Sequence, residues 1–159
     1  MRKTLLVGMA AGAVGTVALD VSTYLDMVVR ARPSSGMPAE TAGAVAERAG
    51  VDLGGDGESA ERASNRKSGL GALFGYGVGI GLGTLYGLLR PAVRRLPRPA
   101  AGVGLGLAAM AASDVPPTVL GITDPRSWDR SSWASDLIPH LAYGLATALT
   151  FDALATERR

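Results

Sequence analysis

The chain has 159 residues, 47% of them hydrophobic but only 5% aromatic, with a net charge of +2 and no cysteine. That length points to a single domain, 1–159. The missing cysteine excludes disulfides, thiolate chemistry and cysteine metal sites, and the modest charge, with no basic stripe interleaved with aromatics, argues against a nucleic-acid partner.

The 22 glycines lie mostly inside long apolar runs, the habit of membrane-spanning helices. A hydrocarbon core is crossed by roughly 20 apolar residues in a helix, and four stretches reach or approach that length. The first is predicted over about 4–28, behind Arg2 and Lys3. Its opening, "MRKTLLVGMAAGA", has the form of a signal peptide, but the apolar run continues to Asp20 and past any such cleavage site. A retained span is therefore expected.

An outer loop over 29–67 follows. Within it, "MPAETAGAVAERAGVDL" begins with Pro38 and puts Ala42, Val45, Ala46 and Ala49 on one helical face. A short amphipathic helix on the membrane surface is expected near 38–50, and "GGDGES" reads as a flexible break after it. The second span is predicted over 68–90. Residues 69–89 carry no charge, so this helix lacks the polar face that a soluble bundle requires.

The third and fourth spans are predicted over 100–121 and 134–155. Between them, Thr123 or Asp124 caps a short helix opened by Pro125, and Trp128 and Trp133 fall where indole rings prefer the membrane interface. The expected fold is all-α: an integral membrane four-helix bundle. Lys and Arg are tied between the two sides, but "RPAVRRLPRP" concentrates four arginines in one short loop. That density places both termini in the cytoplasm.

The glycines of "FGYGVGIGLGTLYG" invite a nucleotide-loop reading, which fails on spacing. A dinucleotide fingerprint needs an offset of five between glycines, whereas every glycine from Gly69 to Gly87 has an odd number. Read as a helix, Gly71, Gly75, Gly79, Gly83 and Gly87 form an unbroken stripe at four-residue spacing. Such a stripe admits a neighbouring backbone at close range. Steps of four overshoot a turn by roughly 40°, so the stripe winds and serves two neighbours in succession.

The other spans carry the same spacing, with an ionisable residue on each stripe: Gly8, Gly12, Thr16, Asp20; Gly102, Gly106, Met110, Asp114; His140, Gly144, Ala148, Asp152. Measured from each span's midpoint, Asp20, Asp114 and His140 fall roughly 4–7 Å toward the outer side, and Tyr76 reaches a similar level. Asp26 and Asp136 lie further out as an anionic vestibule, and Asp152 lies near the inner surface. Pro116 and Pro117 are expected to kink the third span beside Asp114, and Pro139 does the same before His140.

Intramembrane ionisable groups point by default to function. Asp20, Asp114 and His140, with Tyr76, are candidates to bind or relay a proton or small cation. The alternative is structural: Asp20 bonded to Tyr76 and His140 to Asp114 would pin the helix register of a structural or assembly subunit. One His and two Asp could also hold a divalent metal, so metal binding stays open; no cofactor is expected. No Gly-x-Ser-x-Gly or His-Glu-x-x-His motif occurs, and Ser113 beside Asp114, with His140, is the one conceivable nucleophile set. No enzyme activity is expected. The lipid bilayer is the expected partner, and the glycine stripes fit contacts in a homo-oligomer or with another membrane protein equally well.

"SSWASDLIPHLAYGLATALTFDAL", with its His-Leu-Ala-Tyr-Gly core, resembles the closing helix of the YagU-like (DUF1440) small bacterial inner-membrane proteins, and "VPPTVLGITDP" before it is similar too. The resemblance covers about the last third of the chain. It implies a bacterial inner-membrane location and a group with a suggested link to acid tolerance, and it singles out His140, Tyr143 and Gly144.

Overall fold

The computed structural model describes residues 2–54, 58–93 and 95–156. Five helices follow one another: α1 (Arg2–Arg30), α2 (Met37–Arg48), α3 (Glu58–Leu89), α4 (Arg98–Val119) and α5 (Arg130–Thr156). No strand occurs among the described residues. Arg94, Glu157, Arg158 and Arg159, counted in the charge argument, and part of the expected "GGDGES" break lie outside the described residues.

Three helices are long and apolar enough to cross a membrane: Arg2–Arg30, Ala60–Leu89 and Arg130–Thr156. This is the pattern of a multi-pass membrane protein. The expected third span, α4, is helical but falls below that level, because its glycines and prolines, with Arg98, Ser113, Asp114 and Thr118, dilute its apolar residues.

The second span also differs at its start. α3 begins at Glu58, ten residues before the expected Ser68, because "AERASNRK" holds good helix formers that polarity alone marks as loop. The outer connection is correspondingly shorter. α2 is braced on α3: a Cβ on Gly71 would stand 2.7 Å from the carbonyl of Pro38. On its expected apolar face Ala42 and Ala46 are buried, while Val45 and Ala49 stay exposed.

α1 is the central helix, packed against α3 on one side and α5 on the other, and α4 backs onto α5. The glycines explain how close these helices come. A Cβ on Gly12 would stand 2.6 Å from the Gly79 carbonyl, and one on Gly106 would stand 2.6 Å from that of His140. The α3 stripe serves its neighbours in succession, Gly71 against α2, Gly79 and Gly83 against α1, and Gly87 against Phe151 of α5. Gly75 is the exception and faces open space.

Long side chains of α5 reach past α1 to α3. The Tyr143 hydroxyl donates to the Gly79 carbonyl at 2.6 Å, and Phe151 meets Tyr86 edge-on at 5.6 Å. Tyr143, 1% exposed, is the largest fully buried side chain.

The helix ends follow local chemistry. Gly121, at φ +74°, closes α4 with the Ile122 N–H bonded to the Pro117 carbonyl, a turn that favours glycine. Asp124 accepts from the Arg126 N–H and caps a 3-10 turn at Pro125–Ser127, while Thr123 accepts from the Trp128 indole at 2.8 Å. Asp129 accepts from the Ser132 N–H at 2.6 Å at the start of α5, and that bond holds its carboxyl below the ordinary range.

Candidate functional site

The helical register brings together four polar side chains on α4 and α5. His140, 8% exposed, stands where α5 meets α4. Its Nδ1 lies 2.8 Å from the Asp136 carbonyl and 3.2 Å from Asp136 Oδ1, one helical turn away. On the opposite side, its Nε2 lies 3.0 Å from Ser113 Oγ of α4. Asp114 is half-buried beside them and feels the charges of both Asp136 and His140.

The proton inventory of this cluster is informative. With two acceptors in front of it, His140 Nδ1 carries a hydrogen. Ser113 has one hydroxyl hydrogen and two acceptors in reach, His140 Nε2 at 3.0 Å and the Met110 carbonyl at 2.9 Å. When the hydroxyl donates to Met110, Nε2–H donates to Ser113 Oγ and the ring is an imidazolium facing the Asp136 carboxylate. When the hydroxyl turns to Nε2, the ring is neutral. Both states are fully bonded at the ring, so protonation needs only a hydroxyl rotation. Asp136 Oδ2, by contrast, is buried with no hydrogen-bond partner.

Ser113, His140 and Asp136 stand in the order of a nucleophile, a base and an orienting acid. The resemblance to a hydrolytic triad stops there. Ser113 lies inside α4, where backbone N–H groups are taken up by carbonyls one turn back and are not presented to its hydroxyl.

The other expected site residues are distributed differently. Asp20 and Tyr76 pair with each other, the Tyr76 hydroxyl donating to Asp20 at 3.1 Å on the exposed α1–α3 side. This is the pairing of the structural alternative, and no described hydrogen bond or ion pair joins Asp20 to Asp114 or His140. The expected single layer is thus two separate groups, because α1 stands between α3 and α5 and turns Asp20 toward α3.

The expected vestibule is divided as well. Asp26 is neutralised by Arg30 and Arg32, each at 2.5 Å, and Arg30 also reaches Ser131 and Ser135 of α5. Asp136 turns inward to His140 instead of facing out. α4 and α5 continue as helices through Pro116, Pro117 and Pro139. No group of three His, Asp or Glu side chains converges as a metal shell among the described residues.

At the far end of the helices, Asp152 is held by Arg90 and Arg98, each at 3.0 Å, a cluster that spacing within one helix could not reveal. Of the residues that the resemblance singles out, His140 centres the polar cluster and Tyr143 ties α5 to α3. Gly144 lies directly against Gly102 and Gly106 of α4.

Two cavities accompany these groups. The larger, about 610 Å3, lies between α2 and the start of α3 beside Glu40, Glu47, Asp52 and Lys67, away from the His140 cluster. The smaller, about 340 Å3, is an open groove along α4 with Asp114 in its wall.

Compared with protein-family models, curated proteins and solved structures, the chain gives no significant match. The reading of this site therefore rests on its own geometry.

Proposed function

We propose that this is a four-span bacterial inner-membrane protein, with both termini cytoplasmic, that binds and passes protons through the Asp136–His140–Ser113 cluster with Asp114 as its entry. The observation that carries the reading is the two-way hydrogen bonding of Ser113, which accommodates His140 with or without its second proton. α4 serves as the third of the four spans. Its 22 residues reach roughly 33 Å, enough for a hydrocarbon core, and it runs antiparallel along α5 from Asp152 to His140.

Passage, as opposed to binding, is supported by two further buried hydroxyls without hydrogen-bond partners, Thr147 and Tyr86. Thr147 follows His140 by two helical turns on α5, and Tyr86 precedes Arg90, the partner of Asp152, by one turn on α3. Buried polar groups of this kind normally find a partner. They outline a path from His140 toward the Arg90–Asp152 end. The likeness to the YagU-like group is consistent with this membrane placement.

The structural reading is favoured elsewhere. Asp20–Tyr76 and Arg90–Asp152–Arg98 are closed pairings that fix register, whereas Asp136 retains an unpaired oxygen. The test is proton flux in liposomes carrying an imposed pH gradient. The reading expects flux from the native protein, lost in His140→Gln and slowed in Ser113→Ala while both variants stay folded. Folded native protein that passes no protons contradicts it.

A further inference from the structure

Resting on that reading of Asp114, we infer that the groove along α4 binds a lipophilic cation, an amine or onium centre on an apolar body, which competes with a proton for the Asp114 carboxylate. The groove, about 340 Å3, runs beside Leu107, Met110, Val115 and Val119 and is flanked by Trp133. From Leu107 to Val119 it covers roughly 18 Å of helix.

Apolar walls alone select nothing here, because lipid tails are as apolar as the side chains. The distinguishing feature is the single carboxylate. Asp136 is occupied by His140 at 3.2 Å, and no Lys or Arg stands within salt-bridge distance of Asp114 among the described residues. The Thr118 hydroxyl donates to the Asp114 backbone carbonyl, and the Asp114 carboxylate lies beside Asp136 and Ser113 with no cationic side chain on it among the described residues. Two carboxylates facing one imidazole therefore leave room for one further positive charge. In a low-dielectric wall that charge is strongly sought.

Trp133 supplies the second element of recognition. Trp133, 41% exposed and packed edge-on with Trp128, lines the groove, and an aromatic face attracts a weakly hydrated cation. A small, strongly hydrated metal ion would find one carboxylate and no shell, whereas an onium ion needs only charge and apolar contact. The titratable groups acting on Asp114 are Asp136 and His140, both on α5. A second proton on His140 adds positive charge and opposes the cation.

The test is equilibrium binding of tetraphenylphosphonium to the full chain in lipid nanodiscs, at about pH 5 and about pH 8. Saturable binding that tightens about tenfold or more at the higher pH is expected, with a proton released into weakly buffered solution. Asp114→Asn should weaken binding about tenfold or more and Trp133→Leu a few-fold. Neutral triphenylphosphine oxide should not compete. This arm uses the native protein and needs no variant to fold.

Equal competition by the neutral compound would mean an apolar or acyl occupant and would overturn the inference. Binding indifferent to pH or to Asp114→Asn in folded protein overturns it too. If the cation fails to bind while protons still cross in the liposome assay, the groove inference falls alone. If neither occurs, both readings fall.

Discussion

Tyr143 of α5 donates its hydroxyl to the carbonyl of Gly79 on α3, 2.6 Å away, past the small residues of α1. The bond is possible because Gly15 and Thr16 leave α1 thin at that level and Gly79 has no side chain to intervene. It joins two helices whose backbones scarcely approach one another. Tyr143→Phe should cost about 0.5–1.5 kcal/mol, read by unfolding in a detergent titration, with the helix content of the folded state unchanged.

Close approach, rather than the stripe as a sequence pattern, decides which glycines are essential. Gly12→Ala and Gly106→Ala force a Cβ to within 2.6 Å of a backbone carbonyl and should each lose about 1–3 kcal/mol. Gly77→Ala and Gly81→Ala meet nothing within 4 Å and should change stability by less than about 0.5 kcal/mol. Gly75 separates the two accounts: it lies on the stripe yet faces open space, so Gly75→Ala should behave like the second pair.

Asp20→Asn and His140→Gln should have different consequences. Asp20 is bonded to Tyr76 on the exposed side, apart from the α4–α5 cluster. Its replacement should leave proton flux within about twofold of native, a change of less than about 0.5 kcal/mol in barrier height. His140→Gln should abolish the flux.

At the other end, Asp152 is held between Arg90 and Arg98, with 13% of its side chain exposed. Removing one member of a largely buried ion pair strands the others. Asp152→Ala should therefore cost about 3 kcal/mol or more in the same detergent titration. Arg98→Ala should cost much less, since that guanidinium is 61% exposed.

The helices and their packing glycines were legible because both leave local, periodic marks: charge-free apolar length, and small residues at four-residue spacing. α3 extends past its apolar part into "AERASNRK" because helix propensity and membrane hydropathy are different properties, and hydropathy alone does not mark where a helix starts. Helix depth put Asp20 level with Asp114 and His140, but depth carries no azimuth, and azimuth turned Asp20 toward Tyr76. The Asp136–His140 contact had a signal in its one-turn spacing. Reading Asp136 by its depth alone placed it in a vestibule instead. The Arg90–Asp152 pair joins residues 62 apart and follows only from the tertiary packing.

His140 is the only histidine in the chain, which makes the central claim directly observable. The most direct measurement is the 15N spectrum of its imidazole in protein reconstituted in lipid, followed from about pH 5 to about pH 8. The account predicts that Nε2 gains and loses its proton reversibly while Nδ1 keeps its own, and that Ser113→Ala alters the Nε2 response. An imidazole that stays in one protonation state throughout, in folded protein, would contradict it.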